Sequence, residues 1–137
     1  MVVDTSALVA IFLLEPEHEV FAAAIDRAGA AFVSVVSQVE LTAVLCGGRI
    51  AADPRRVDTF VGSLGLEPVA VTSDHADLAV RALLAFGEGR HPAKLDLGDC
   101  FAYALAKSLD APLLFKGEDF ARTDIVPAWR PTADSGP

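Results

Sequence analysis

The chain has 137 residues, 53% of them hydrophobic, and 11 Lys/Arg against 19 Asp/Glu give it a formal charge of −8. That length suits one domain able to bury roughly two-thirds of the surface its unfolded chain exposes. The longest unbroken apolar run, residues 7–14, falls far short of the ~20 residues a membrane span needs, and the acidic balance argues against a protein that holds nucleic acid by simple charge attraction.

Residues 1–3, MVV, are a short β-branched run expected as a strand, and 5–14 has the pattern of a helix stopped near Pro16. No basic leader precedes the apolar run, and Glu15-Pro16 follow it in place of a small-residue cleavage site, which argues against a signal peptide. A second helix is expected over 18–28, ended by Gly29, then a strand over 31–36 with FVSVV at its centre, then a helix over 37–50. Asp53 as N-cap with Pro54 at the first helical position begins another helix that ends near Gly65. A third strand is expected over 68–71, a long amphipathic helix over 73–87, and GEGRHPAK at 87–94 is the clear loop. An alanine-rich helix over 98–109 leads to a fourth strand over 112–115, with 124–126 a candidate fifth. From Pro127 a tail with three prolines is expected to be loosely ordered, Trp129 docking on the body. Cys46 and Cys100 have no metal-type spacing and fall in apolar helical patterns, so buried reduced thiols and a cytoplasmic protein are expected.

Short apolar strands alternating with helices imply βαβ units, hence an α/β domain whose parallel sheet is covered on both faces. In such sheets the ligand crevice lies beyond the carboxyl ends of the strands. Asp4 follows the first strand, Glu40 lies in the first turn of the helix after the second, Asp99 opens the alanine-rich helix, and Asp119 follows the fourth strand. Each acid also has an ordinary structural role. Asp4 can cap the first helix, Ser37 and Glu40 fit the S-x-x-E capping box, Asp96 and Asp99 resemble the same device, and Glu118 and Asp119 suit a turn.

Together, four acids at one topological position would repel one another unless a cation joined them. An all-oxygen, highly negative set suits Mg²⁺ or Mn²⁺, and no His/Cys set for zinc is visible, since His18, His75 and His91 are scattered. Such a centre can activate water against a phosphodiester, which is nuclease chemistry. A haloacid-dehalogenase-like phosphatase also places an aspartate after its first strand but needs a second two residues on, where this chain has Ser6. A receiver-type domain finds only a weak match in Thr72-Ser73-Asp74.

The stretches VVDTSALVAI, SVVSQVELTAVL, LDLGDCFAYALAK and LLFKGEDFARTDI occur in order along nearly the whole chain. Together they resemble the PIN-domain ribonucleases of the VapC toxin type. The resemblance implies a three-layer α/β/α fold over residues 1–126, with a twisted, mainly parallel sheet of four to five strands, followed by the tail at 127–137. It implies Mg²⁺- or Mn²⁺-dependent endonucleolytic cleavage of RNA, inhibition of translation, a small VapB-like antitoxin that occupies the acidic site and a neighbouring apolar groove, and a homodimer. Catalytic and metal-binding roles carry over to Asp4, Glu40 and Asp99, with Asp119 as the fourth acid, and supporting hydrogen bonds to Thr5 and Ser6. Asp96 and Glu118 stand where asparagine is frequent in the family. Arg90, His91 and Lys94 on the loop before Asp99, and Lys116 and Arg122 beside Asp119, are either contacts to the RNA backbone or solvated loop charges. Phe120 fits the core ahead of a base-stacking platform, and Phe101, Tyr103 and Leu105 fit the core or a dimer face first. The rival of another class is a PIN-like binding module that keeps its acids for structure and cleaves nothing.

Overall fold

The protein is described by a computed structural model over residues 1–132. Its centre is β1 (Val2–Val3), flanked by β2 (Phe32–Ser34) and β4 (Leu113–Leu114), with β3 (Glu67–Val69) at the far edge; all pairings are parallel and the order is β3-β2-β1-β4. The connections are α1 (Thr5–Phe12), α2 (His18–Arg27), α3 (Val35–Cys46), α4 (Pro54–Ser63), α5 (Ser73–Phe86) and α6 (Leu97–Ser108), and a 3₁₀ turn covers Phe120–Arg122.

Successive strand residues point to opposite faces, and the sheet uses that alternation to build two cores. Val2 and Leu113 pack with Ala79, Tyr103 and Leu105 beneath α5 and α6. Val3, Val33 and Leu114 pack with Leu8, Phe21, Leu41 and Val57 beneath α1 to α4. The result is the three-layer α/β/α arrangement, and it explains why the strands read as continuous apolar runs. Pro68 fits β3 because the strand lies at the sheet edge, where a missing N–H costs no ladder bond.

Three expectations change. Strand 31–36 is shorter, because Ser34, the last β2 residue and paired with Val69, also caps α3, accepting from the Val36 N–H at 3.2 Å. The helix therefore starts at Val35, not 37, so Ser37 is no N-cap and the Ser37/Glu40 capping box does not form; Gly47 ends the helix well before 50. The fifth strand reduces to one bridge, Leu113 to Pro127, with the Leu113 N–H donating to Val126 O at 2.9 Å and the Ala128 N–H to Leu113 O at 2.8 Å. The first part of the tail is thereby fixed, and Trp129 does dock, meeting the Phe21 ring edge-on at 5.3 Å. Residues 133–137 of the expected loose tail lie outside the described residues. Cys46 and Cys100 are both free, half-buried and buried respectively. Among the described residues no helix is long and apolar enough to cross a membrane.

From β1 the chain goes first to β2 on one side and later returns to β4 on the other. The carboxyl end of β1 is therefore the switch point where a crevice opens.

Candidate active site

Asp4 is the first residue past β1. Its N–H still pairs with the sheet, donating to Leu114 O at 2.9 Å, while its extended φ/ψ makes it the N-cap of α1. The carboxylate is 2% exposed. Oδ2 accepts from the Ser6 N–H at 3.0 Å and the Ser6 hydroxyl at 2.7 Å, whereas Oδ1 is buried with no hydrogen-bond partner among the described residues. Burial pushes the Asp4 carboxyl up to about 6 against the pull of the two Ser6 bonds, and the Glu40 charge adds to the rise.

Asp99 opens α6. A reciprocal capping box joins it to Asp96, the Asp99 N–H donating to Asp96 Oδ1 at 2.8 Å and the Asp96 N–H to Asp99 Oδ2 at 3.0 Å. Burial, followed by the charges of Asp4, Asp96 and Glu40, raises the Asp99 carboxyl to about 8 even though the Asp96 N–H favours its ionised form. Glu40, half-buried on α3, is raised in the same direction, by burial and by Asp96, with the Thr5 hydroxyl opposing. Its carboxylate lies against Gly98, where a Cβ would collide with both carboxylate oxygens. Thr5 is buried and donates to Ser37 O at 3.2 Å, tying α1 to α3 across the site.

These groups line one cavity of about 340 Å³ with Glu15, Asp96 and Lys116, and with Val9 and Val44 as apolar walls. The sequence reading named Asp4, Glu40, Asp99, Thr5 and Ser6, and the structure brings all five together. Asp119 is not among the lining residues. Gly117, with φ of 104°, turns the chain after Lys116, and Asp119 then starts an exposed 3₁₀ turn that anchors through Phe120 against Phe115. Arg90 and Lys94 are likewise exposed and outside the cavity, on a loop closed by the Gly87–Leu95 bridge. Glu15 and Gly98 were missed. The E-P-E triplet after the first apolar run was a signal for Glu15, and nothing in LGD marks the glycine as a seat for another helix's carboxylate.

Among the described residues no three acids, histidines or cysteines already form a closed metal cage. A hard divalent cation does not require one: Mg²⁺ takes one or two carboxylates and keeps several waters. The donor set is all oxygen, burial and then the neighbouring charges hold protons on Asp4 and Asp99, and a buried oxygen of Asp4 lacks a partner among the described residues. The residues present therefore fit Mg²⁺ or Mn²⁺ at Asp4, Asp99 and Glu40.

A three-layer parallel α/β domain with a carboxylate pocket at its switch point defines a class of acidic-crevice domains. The chain belongs within it to the PIN domain family, whose sequence pattern matches residues 1–126. It is 44% identical over 126 residues to Ribonuclease VapC30 of Mycobacterium tuberculosis, covering 92% of this chain and 96% of that protein. It is 41% identical over 129 residues to Ribonuclease VapC42 of the same species, covering 93% and 98%. Among solved structures, Mycobacterium tuberculosis VapC20, described as a sarcin-ricin loop cleaving toxin, superposes with a TM-score of 0.68 at 20% identity, covering 95% of this chain and 98% of that one. A toxin-antitoxin complex from Klebsiella pneumoniae gives 0.65 at 16%, covering 93% and 97%. Both share the fold, and the family membership displaces the haloacid-dehalogenase alternative.

Proposed function

We propose that the chain is an endoribonuclease, the toxin of a toxin-antitoxin pair, that hydrolyses RNA phosphodiesters with Mg²⁺ or Mn²⁺ held by Asp4, Glu40 and Asp99. The observation that carries this reading is the buried, unpartnered Oδ1 of Asp4 facing a cluster of acids at the sheet's switch point. The names of the VapC ribonuclease relatives support the substrate class. The toxin-antitoxin complex of like fold supports a small VapB-like antitoxin as partner, and a cytoplasmic homodimer completes the proposal.

When bound, the cation supplies the positive charge that draws a phosphate into an acidic pocket and makes the attacking water easier to deprotonate. Asp4 fixes its position through the strand on one side and Ser6 on the other. Glu40 and Asp99 approach from the second and third helices of the site, so the ligands sit on rigid elements whose mutual placement the sheet sets. Carboxyls held protonated would release their protons where a cation is bound, and a cluster carboxylate not engaged by it would accept the proton that the attacking water loses. Water adds across one P–O bond, leaving phosphate on one product and a hydroxyl on the other. Asp119 receives no ligand role in this scheme.

The test is purified full-length protein on an RNA panel with each metal, compared with Asp4→Asn, which keeps the Ser6 bonds but loses the charge. Metal-dependent cleavage by the parent and none by the variant is expected. Equal cleavage by both would assign the activity to a contaminant and end this reading.

A further inference from the structure

We infer that Lys116 is a substrate-binding residue, its ammonium held at the pocket rim by Glu15 and Glu17 so that it takes a phosphate oxygen of the bound RNA strand; this rests on the ribonuclease reading above. Lys116 is the cation among the residues lining the acid cavity. Its backbone is locked to the site, because the Lys116 N–H donates to the Ser6 hydroxyl at 3.0 Å and that hydroxyl donates to Asp4 Oδ2 at 2.7 Å. Any displacement of Asp4 is therefore felt at Lys116. Nζ lies 3.2 Å from Glu15 Oε1 and 3.1 Å from Glu17 Oε2. The Glu15 contact is a hydrogen bond and the Glu17 contact an ion pair, so of an ammonium's three N–H donors at least one is left for a ligand.

The turn that presents the two glutamates is not built for stability. Leu14, a bulky residue, sits at φ 55° and is 70% exposed. Left-handed backbone at a bulky residue is unfavourable and persists only where surroundings impose it. Nothing apolar is buried in return, and ion pairs between half-exposed groups contribute little net stability. Positioning explains what stability does not. The other four carboxylates of the cavity, Asp4, Glu40, Asp96 and Asp99, would otherwise pull a flexible lysine inward, where it would take the cation's place. Glu15 and Glu17 hold it at the rim instead, their charges keeping the ammonium protonated, and an arriving phosphate takes the donor left over.

The experiment is steady-state RNA cleavage by the full chain as parent, Lys116→Met, Lys116→Arg and Glu17→Gln, over a range of salt, with melting temperatures. Losing one charged phosphate contact should raise KM roughly five- to tenfold with kcat little changed, and should flatten the slope of log kcat/KM against log salt by about 0.7. Lys116→Arg should restore KM and slope, and the metal concentration for half-maximal activity should not move. Glu17→Gln, which removes a tether but no donor, should raise KM less than Lys116→Met at a similar cost in melting temperature. Unchanged KM and slope in Lys116→Met, or equal KM effects from the Met and Glu17 variants at equal melting loss, would make the trio a structural latch and overturn the inference. A parent that cleaves no RNA with any divalent metal would instead remove the ribonuclease reading, and the inference with it.

Discussion

Asp4 divides its carboxylate between two tasks, Oδ2 capping α1 through Ser6 and Oδ1 left without a partner in the pocket. Asp99 does the same, closing a capping box with Asp96 while lining the cavity. Capping and ligation are thus not rival explanations for either residue: the cap fixes the rotamer that the site needs, much as an outer hydrogen bond orients a metal ligand. Gly98 contributes by what it lacks. It has no positive φ, so an alanine would fit its backbone and favour the helix by up to about 1 kcal/mol. The added Cβ would, however, drive the Glu40 carboxylate from its seat. Gly98→Ala is expected to melt at the same or a higher temperature than the parent while cleaving RNA roughly tenfold more slowly, the scale of a displaced ligand. Unchanged rates would show that Glu40 acts from another position.

At the scale of elements, α3 separates what was legible from what was not. The βαβ order, the strand cores and the α4 start at Asp53-Pro54 follow from apolar runs and caps, and the structure keeps them. The α3 start does not follow, because the valines at 33, 35 and 36 favour strand locally, whereas β2 ends at Ser34 and the helix begins at Val35. Asp119 falls outside the cavity lining for a related reason: its distance from β4 is legible in the sequence, but the turn at Gly117 decides which side it faces. Glu15 entered the pocket through the left-handed turn at Leu14, of which the E-P-E triplet is the only trace in the sequence. The α3 assignment makes a direct contrast. Ser34→Ala removes the N-cap acceptor and should cost about 1 kcal/mol in chemical denaturation. Ser37 is fully buried with an unpartnered hydroxyl, so Ser37→Ala should be neutral or slightly stabilising. The opposite order would restore the Ser37 capping box.

For the whole molecule, a chain of charge −8 that acts on a polyanion concentrates acids where the strand order of its parallel sheet switches sides, and the folded state carries that repulsion until a cation arrives. Burial and mutual charge raise Asp4 to about 6 and Asp99 to about 8, above their unfolded values. Between those unfolded values and pH 8 the native state binds more protons than the unfolded chain, so stability falls as pH rises. The contribution is full below the unfolded carboxyl range, shrinks as pH passes about 6 through Asp4, and is gone above about 8 through Asp99. Because Asp99 is only half-buried, solvent screening discounts its share, and a total on the order of 2 kcal/mol is expected. Metal-free protein should therefore melt several degrees lower near pH 8.5 than near pH 5.5. Mn²⁺ should reverse this, raising the melting temperature strongly at the higher pH and little at the lower, since metal and protons compete for the same oxygens. Melting curves in chelator and in millimolar Mn²⁺ across that range check both halves. A flat metal-free profile, or equal stabilisation by Mn²⁺ at both ends, would mean that the acids are not charge-frustrated and that the pocket does not bind through them.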